Sequence, residues 1–201
     1  MSPARAAEKY QRHSPGLEQF FLSLQGQAGL RVLDLCPVSQ SNVSFISGLG
    51  HRLYCEDFLS SLDDFFGEAD FYQGQENSRR GDQFLDMTFR QLEPPFQGAL
   101  VWDLLSFLSP TLLEMTVREL HRLLTPGSMV LAFFHGEEKA RQVPASYFRI
   151  QDAKTIEVAD RGPRTPGQYF SNRAIEKLFE DFDSLKFFLS RDQYREVIIR
   201  R

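Results

Sequence analysis

Apolar residues along the chain switch repeatedly between helical and strand spacing. Leu17, Phe20, Phe21 and Leu24 fall at i, i+3, i+4 and i+7, the spacing of an amphipathic helix. The short apolar run 30–35 that follows predicts a buried strand. Repetition of this order along the chain predicts an α/β fold, with a mostly parallel sheet and helices on both of its faces.

The same analysis divides most of the remaining chain into elements. Predicted helices cover residues 41–47, 58–66, 109–124 and 172–182, and predicted strands cover 52–55, 99–102, 129–134, 147–150, 155–158, 185–189 and 196–199. The strands 147–150 and 155–158 are expected to form an antiparallel hairpin or a small excursion from the main sheet. The link 190–195 is too short for a crossover, so the last two strands should also pair antiparallel.

Two internal segments give weaker patterns. Residues 67–82 are polar and rich in Gly, Gln and Asn, which predicts an exposed, flexible loop. Leu85, Met87 and Phe89 alternate as in a half-buried strand, although a helical turn also fits this spacing. The order of the surrounding elements favours a third parallel strand here.

Length and composition limit the domain organisation. Residues 1–15 are polar and are expected to be loosely ordered, while residues 16–201 are expected to form a single domain. The chain is 42% hydrophobic and contains 19 Phe, so aromatic side chains should dominate either the core or an interface with another protein.

Charge and cysteine content limit which binding partners and which cellular compartment are expected for the protein. A net charge of −4 argues against a broad basic surface for nucleic acid or for an anionic membrane. The apolar runs are too short to span a bilayer, and the N-terminal residues lack the apolar stretch of a secretory signal. Cys36 and Cys55 are too few for a zinc site, so we expect no metal, two reduced thiols and a cytoplasmic protein.

Candidate chemistry is concentrated in the segment 32–42, VLDLCPVSQSN. A strand with an acid, Asp34, near its end runs into a short loop and then a helix, which is typical of a nucleotide-type site. Such a loop places glycines at alternate positions, where this chain has Cys36, Val38 and Gln40. Their side chains would project toward the path of a ligand, which argues against ordinary cofactor binding.

Taken together, these segments resemble the class I S-adenosylmethionine-dependent methyltransferase superfamily. VLDL at 32–35 looks like its first strand, and Glu56 looks like the acid that ends its second strand. GALVWDLLSFL at 98–108 is similar to its fourth strand and turn, and ELHRLLTPGSMVLAFF at 119–134 is similar to its next helix, turn and fifth strand. The resemblance covers roughly residues 17–201. It implies a Rossmann-like fold with about seven strands and an antiparallel last strand.

The resemblance also implies a cofactor site for S-adenosylmethionine. Residues expected to line it are Asp34, Leu35, Cys36, Val38 and Gln40 beside the methionine part, Glu56 at the ribose, Asp86 or Met87 at the adenine, and Trp102 and Asp103 beside the methyl group. A carboxylate such as Glu56 suits a ribose because it accepts two hydrogen bonds from a diol.

Each of these residues also has a structural interpretation. Asp34 could cap the following helix, Glu56 could pair with a surface Arg, and Trp102 could belong to the core. His135 follows the fifth strand, where a general base could stand, but a lone His at such a place is more often structural.

Two functions therefore stay open. The first is a methyltransferase that aligns an unknown small-molecule or protein acceptor, with catalytic residues that the sequence does not identify. The second is an inactive methyltransferase-fold protein that acts as a binding or regulatory subunit and engages a protein partner through a Phe-rich surface. Retained Asp34 and Glu56 favour the first, and the replaced glycines favour the second. The chain lacks GxGxxG, so a nicotinamide dehydrogenase is not expected.

Overall fold

A computed structural model describes residues 9–67, 69–136, 140–189 and 194–201. The strands in these ranges are β1 Lys9–His13, β2 Arg31–Asp34, β3 Arg52–Cys55, β4 Phe96–Trp102, β5 Leu124–His135, β6 Val143–Asp152, β7 Thr155–Arg164, β8 Ser184–Leu189 and β9 Tyr194–Arg200. The helices are α1 Pro15–Leu24, α2 Gln40–Gly48, α3 Phe58–Phe66, α4 Phe71–Gln75, α5 Ser78–Phe89, α6 Pro110–Leu123 and α7 Asn172–Leu178, and a single 3-10 turn covers Leu104–Phe107.

The main sheet has six strands in the order β3-β2-β4-β5-β9-β8. β3, β2, β4 and β5 are parallel, whereas β9 is antiparallel to both β5 and β8. The predicted α/β fold and the antiparallel closing pair are therefore confirmed. The sheet is one strand smaller than expected, because residues 85–89 belong to a helix instead of a third parallel strand.

A second sheet, of three antiparallel strands, forms beside the main one in the order β1-β7-β6. The predicted hairpin is confirmed as β6 and β7, and both strands are longer than expected. β1 pairs with β7, with Lys9 opposite Ala159 and His13 opposite Thr155. The expectation that residues 1–15 are loosely ordered is thus wrong for residues 9–15, and residues 1–8 lie outside the described part of the chain.

Short polar side chains fix the starts of the helices. Ser14, Ser39, Ser109 and Ser171 each accept a hydrogen bond from the backbone N–H three residues further on, at 3.1–3.3 Å. Such N-caps satisfy backbone donors that a helix leaves free at its first turn. The predicted starts of α1, α2, α6 and α7 agree with these caps.

The predicted flexible loop at 67–82 is wrong over most of its length, because α4 and α5 occupy it. Phe84, Leu85, Thr88 and Phe89 are buried on one face of α5, a helical spacing that the apparent strand alternation concealed. Gln75 is fully buried, and its side-chain oxygen accepts the N–H of Ser109 at 2.8 Å. Tertiary contacts therefore order a polar sequence here.

Two apolar clusters fill the molecule, one on each face of the main sheet. Val32 belongs to one cluster and its neighbour Leu33 to the other, as the alternation of side chains along a strand requires. Every Phe is buried or half-buried, so the Phe content mainly builds the core. Within the described ranges, no helix combines the length and apolarity needed to cross a bilayer.

Candidate functional site

The candidate site is the edge of the main sheet where β2, β3 and β4 end. In open α/β sheets, ligands bind outside the carboxyl ends of the parallel strands. The strand register places Asp34 beside Cys55 on one side and beside Leu100 on the other. This brings the predicted acid at 34 to the centre of that edge.

Asp34 is completely buried, and both oxygens of its carboxylate accept hydrogen bonds from the protein. One oxygen accepts the indole N–H of Trp102 at 2.7 Å and the backbone N–H of Cys36 at 3.2 Å. The other accepts the amide of Asn42 at 2.8 Å. Burial nevertheless raises the pKa of Asp34 to about 6, against the lowering effect of these three hydrogen bonds. Asp34 thus ties the strand end to α2 and β4.

Trp102 lies at the end of β4 and is only 1% exposed. Its φ of 55° is in the left-handed region, where a non-glycine residue is held at a cost of roughly 1–2 kcal/mol. The indole stacks on the ring of Phe148, with centroids 4.9 Å apart and an interplanar angle of 5°. The hydrogen bond to Asp34 and this stack hold the strained residue, so the structural interpretation of Trp102 as core is confirmed.

Strand β6 of the second sheet lies against the start of α2. Asn42 donates to the carbonyl of Phe148 at 3.2 Å and accepts the N–H of Ile150 at 2.7 Å. The side chains of Phe148 and Ile150 are both 1% exposed and belong to the same cluster as Trp102. The hairpin therefore covers the edge above β2 and β4.

Ion pairs hold the other strand of the hairpin to α3. Arg161 donates to both oxygens of Asp57 at 2.9 and 3.3 Å and to the hydroxyl of Ser60 at 2.6 Å. Arg164 forms a second two-pronged pair with Asp63 at 2.7 and 2.5 Å. The cover thus extends from β2 across to the helix that follows β3.

The loop residues of the predicted cofactor site diverge in the structure. Leu35 and Cys36 are buried in the core, and burial raises the pKa of the Cys36 thiol. Val38 is 73% exposed, and Gln40 begins α2 with its amide donating to Ser44 at 2.9 Å. Two of the three side chains that replace glycines therefore lie at the surface, and the ring of Phe148, contributed by β6, fills the space over Trp102.

Glu56 occupies the place that the sequence assigned to it, just after β3. Its backbone N–H donates to the carbonyl of Asp34 at 2.9 Å, and its carboxylate accepts the hydroxyl of Ser61 at 2.8 Å. The side chain is half-buried. Among the described residues, no arginine forms an ion pair with Glu56.

Asp86 and Met87 are not near this edge. Both are exposed on α5, where Asp86 pairs with Arg90 one turn further on. The end of α5 leads through a short segment to the first residue of β4, Phe96, so these residues lie toward the opposite, amino end of the strands. Their assignment to an adenine pocket is wrong, because it assumed a strand at residues 85–89.

A buried acid and a buried imidazole lie at the ends of β4 and β5. The Oδ2 atom of Asp103 and the Nε2 atom of His135 are 3.9 Å apart, and neither has a hydrogen-bond partner in the described part of the chain. Burial raises the pKa of Asp103 to about 8 and lowers that of His135 to about 4. Both groups are therefore mainly uncharged at neutral pH. The Tyr194 ring covers His135 at 5.0 Å between centroids.

Glu196 of β9 joins the main sheet to β1 of the second sheet and to the start of α1. Its carboxylate accepts the Arg12 guanidinium at 2.5 Å, the Ser14 hydroxyl at 2.8 Å and the N–H of Gly16 at 2.7 Å. Gly16 is required for this approach, since a Cβ there would lie 2.7 Å from the carboxylate. Sequence reasoning missed Glu196, Asn42 and Phe148, because nothing in their local pattern indicates which distant strand they meet.

Open cavities lie elsewhere, between helices. One of about 720 Å³ separates α6 from α7, and another of about 450 Å³ separates α5 from α6. None of the predicted cofactor residues at the carboxyl edge lines either cavity. Within the described ranges, no group of three or more His, Cys, Asp or Glu is placed to hold a metal ion.

Sequence comparisons and structural comparisons differ in what they detect. No protein-family model matches the chain, and no curated protein sequence matches it. The Burkholderia thailandensis 1,6-didemethyltoxoflavin-N1-methyltransferase, solved with 1,6-didemethyltoxoflavin and S-adenosylhomocysteine, matches with a TM-score of 0.50 and 13% identity, over 93% of this chain and 76% of that one. The DhpI–S-adenosylhomocysteine complex matches with a TM-score of 0.50 and 14% identity, over 92% of this chain and 82% of that one.

Both matches extend over more than nine tenths of this chain. The chain has the class I S-adenosylmethionine-dependent methyltransferase fold. At this level of identity the likeness extends to the fold alone.

Proposed function

We propose that this methyltransferase-fold protein works without transferring methyl groups, as a binding or regulatory subunit. The observation that carries the proposal is the stack of Phe148 on Trp102 at the carboxyl edge of the sheet. A side chain of the protein itself fills the space where this fold binds its ligands. We also propose that it acts in the cytoplasm, where its two free cysteines would remain reduced.

The residues at this edge do not fit S-adenosylmethionine. Both oxygens of Asp34 already accept hydrogen bonds from the protein, and the carboxylate is completely buried, so it does not face a ligand's ammonium or hydroxyl group. The amide of Asn42, at the start of α2, is likewise bonded on both its nitrogen and its oxygen. Binding would therefore require these groups to separate.

The size of the buried surface argues that the cover is permanent. Four side chains of the hairpin, Phe148, Ile150, Ile156 and Val158, are at most 1% exposed. At about 1.5–3 kcal/mol for each buried side chain, lifting the hairpin would cost roughly 6–12 kcal/mol. That equals much of the whole stability of a typical domain, about 5–15 kcal/mol. A ligand that opened the edge would have to offset this cost from its own binding free energy.

An active methyltransferase is the second candidate, and Glu56 is the observation that favours it. Glu56 keeps its place at the end of β3, half-buried, with Ser61 as its hydrogen-bond donor. The solved relatives that carry S-adenosylhomocysteine make that cofactor the one to test. In this alternative, Glu56 would hold the ribose after the hairpin had moved.

Calorimetry with S-adenosylmethionine and S-adenosylhomocysteine separates the two candidates. We expect no saturable heat, and no change in the fluorescence of Trp102, the single tryptophan of the chain. Because Trp102 stands at the edge itself, its emission reports any ligand that enters. A micromolar dissociation constant, about −8 kcal/mol, would overturn the proposal in favour of the enzyme.

Two variants identify what closes the edge. Replacing Cys36, Val38 and Gln40 by Gly restores the expected loop but leaves Phe148 in place, so we expect it to bind no cofactor. Phe148→Ala removes the ring over Trp102, and it should admit more ligand than the triple variant if any binds. Cofactor binding by the triple glycine variant alone would show that the loop, and not the hairpin, is the barrier.

A further inference from the structure

We draw no further inference here: the strongest candidate, the buried pair of Asp103 and His135 at the ends of β4 and β5, belongs to the carboxyl edge already described, and its two shifted pKa values alone identify neither a ligand nor a reaction.

Discussion

The carboxyl edge of the sheet and the groove between α6 and α7, which is the cavity of about 720 Å³ described above, are two regions that differ sharply in how their side chains are partnered. At the edge, Phe148 is 1% exposed and packs on Trp102, and every polar atom of Asp34 is bonded within the protein. In the groove, Leu178 is half-exposed and the charges around it lack partners in the described part of the chain. The polar groups at the edge have partners within the protein, whereas the charged side chains around the groove have none in the described part of the chain.

This difference shows that a chain can have a given fold without having the side chains of the ligand site that often accompanies it. The strand order of an open α/β sheet is present, and the three-stranded sheet contributes Phe148 to the apolar cluster that contains Trp102 at the carboxyl edge. A fold likeness therefore predicts where a site could be, and only the side chains decide whether it exists. The following variants test the contrast, from the largest expected effect to the smallest.

Phe148→Ala and Leu178→Ala should differ most. Removing the buried Phe148 ring leaves a cavity beside Trp102 and should lower the free energy of unfolding by about 3–5 kcal/mol. Leu178 is half-exposed, so its truncation should cost about 1 kcal/mol or less. Urea unfolding of both variants gives the comparison. Equal losses would mean that the edge is no better packed than the groove.

Asn42→Ala tests the hydrogen bonds that join α2 to Asp34 and to the hairpin of β6 and β7. The change removes the donor to Asp34 and leaves the N–H of Ile150 without its acceptor in a buried place. We expect a loss of about 1–3 kcal/mol, the cost of an unsatisfied buried group. Asn42→Asp keeps the acceptor for Ile150 but puts a second carboxylate beside Asp34, so it should be at least as damaging. A neutral effect of both changes would show that the hairpin is held by apolar packing alone.

Stability should fall as the pH rises from 6.5 to 8, because of Asp103. Its folded pKa of about 8 lies above the unfolded value of about 3.9, so the fold favours the protonated carboxyl. Relative to a fold in which Asp103 is ionised, this stabilisation is complete below the unfolded pKa. It decreases as the pH rises and is lost once the pH passes the folded pKa of about 8. We expect a loss of about 1–2 kcal/mol across this interval.

Asp103→Asn should remove this slope, which urea midpoints at the two pH values measure. His135 faces Asp103 and has a folded pKa of about 4, so it contributes mainly below pH 6.5 and with the opposite sign. The guanidinium groups of Arg161 and Arg164 also act on Asp103 and lower its pKa. A slope that persists in Asp103→Asn would assign the titration to another group.

Lys177→Glu and Arg173→Glu should leave folding almost unchanged, within about 0.5 kcal/mol, because both residues are exposed and unpaired in the described part of the chain. Thermal unfolding checks this directly. A large loss of stability with Lys177→Glu would mean that Lys177 contributes to the stability of the fold.

Local pattern was sufficient for much of the secondary structure. Apolar spacing predicted α1, α2 and α6 near their observed bounds, and it predicted the start of α7, because this signal acts within a few residues. The polar composition of residues 67–82 led to the wrong prediction of a flexible loop. The buried contacts that order this region, those of Gln75 and of the adjoining Phe84, come from elements distant in sequence. The position of Glu56 was also predictable, because a strand end fixes the place of the next residue.

The sequence by itself determined the alternation of strands and helices, the closing antiparallel pair and the acid at the centre of the carboxyl edge. Only the tertiary structure decided that Asp34 is enclosed, that Phe148 fills the crevice and that Glu196 joins β1 to β9. The physical reason is distance along the chain. Hydrogen-bonded periodicity is local and leaves a repeat in the sequence, whereas Asn42 meets Ile150, and Arg12 meets Glu196, across separations of 108 and 184 residues. Such contacts form only once the whole sheet brings their strands together.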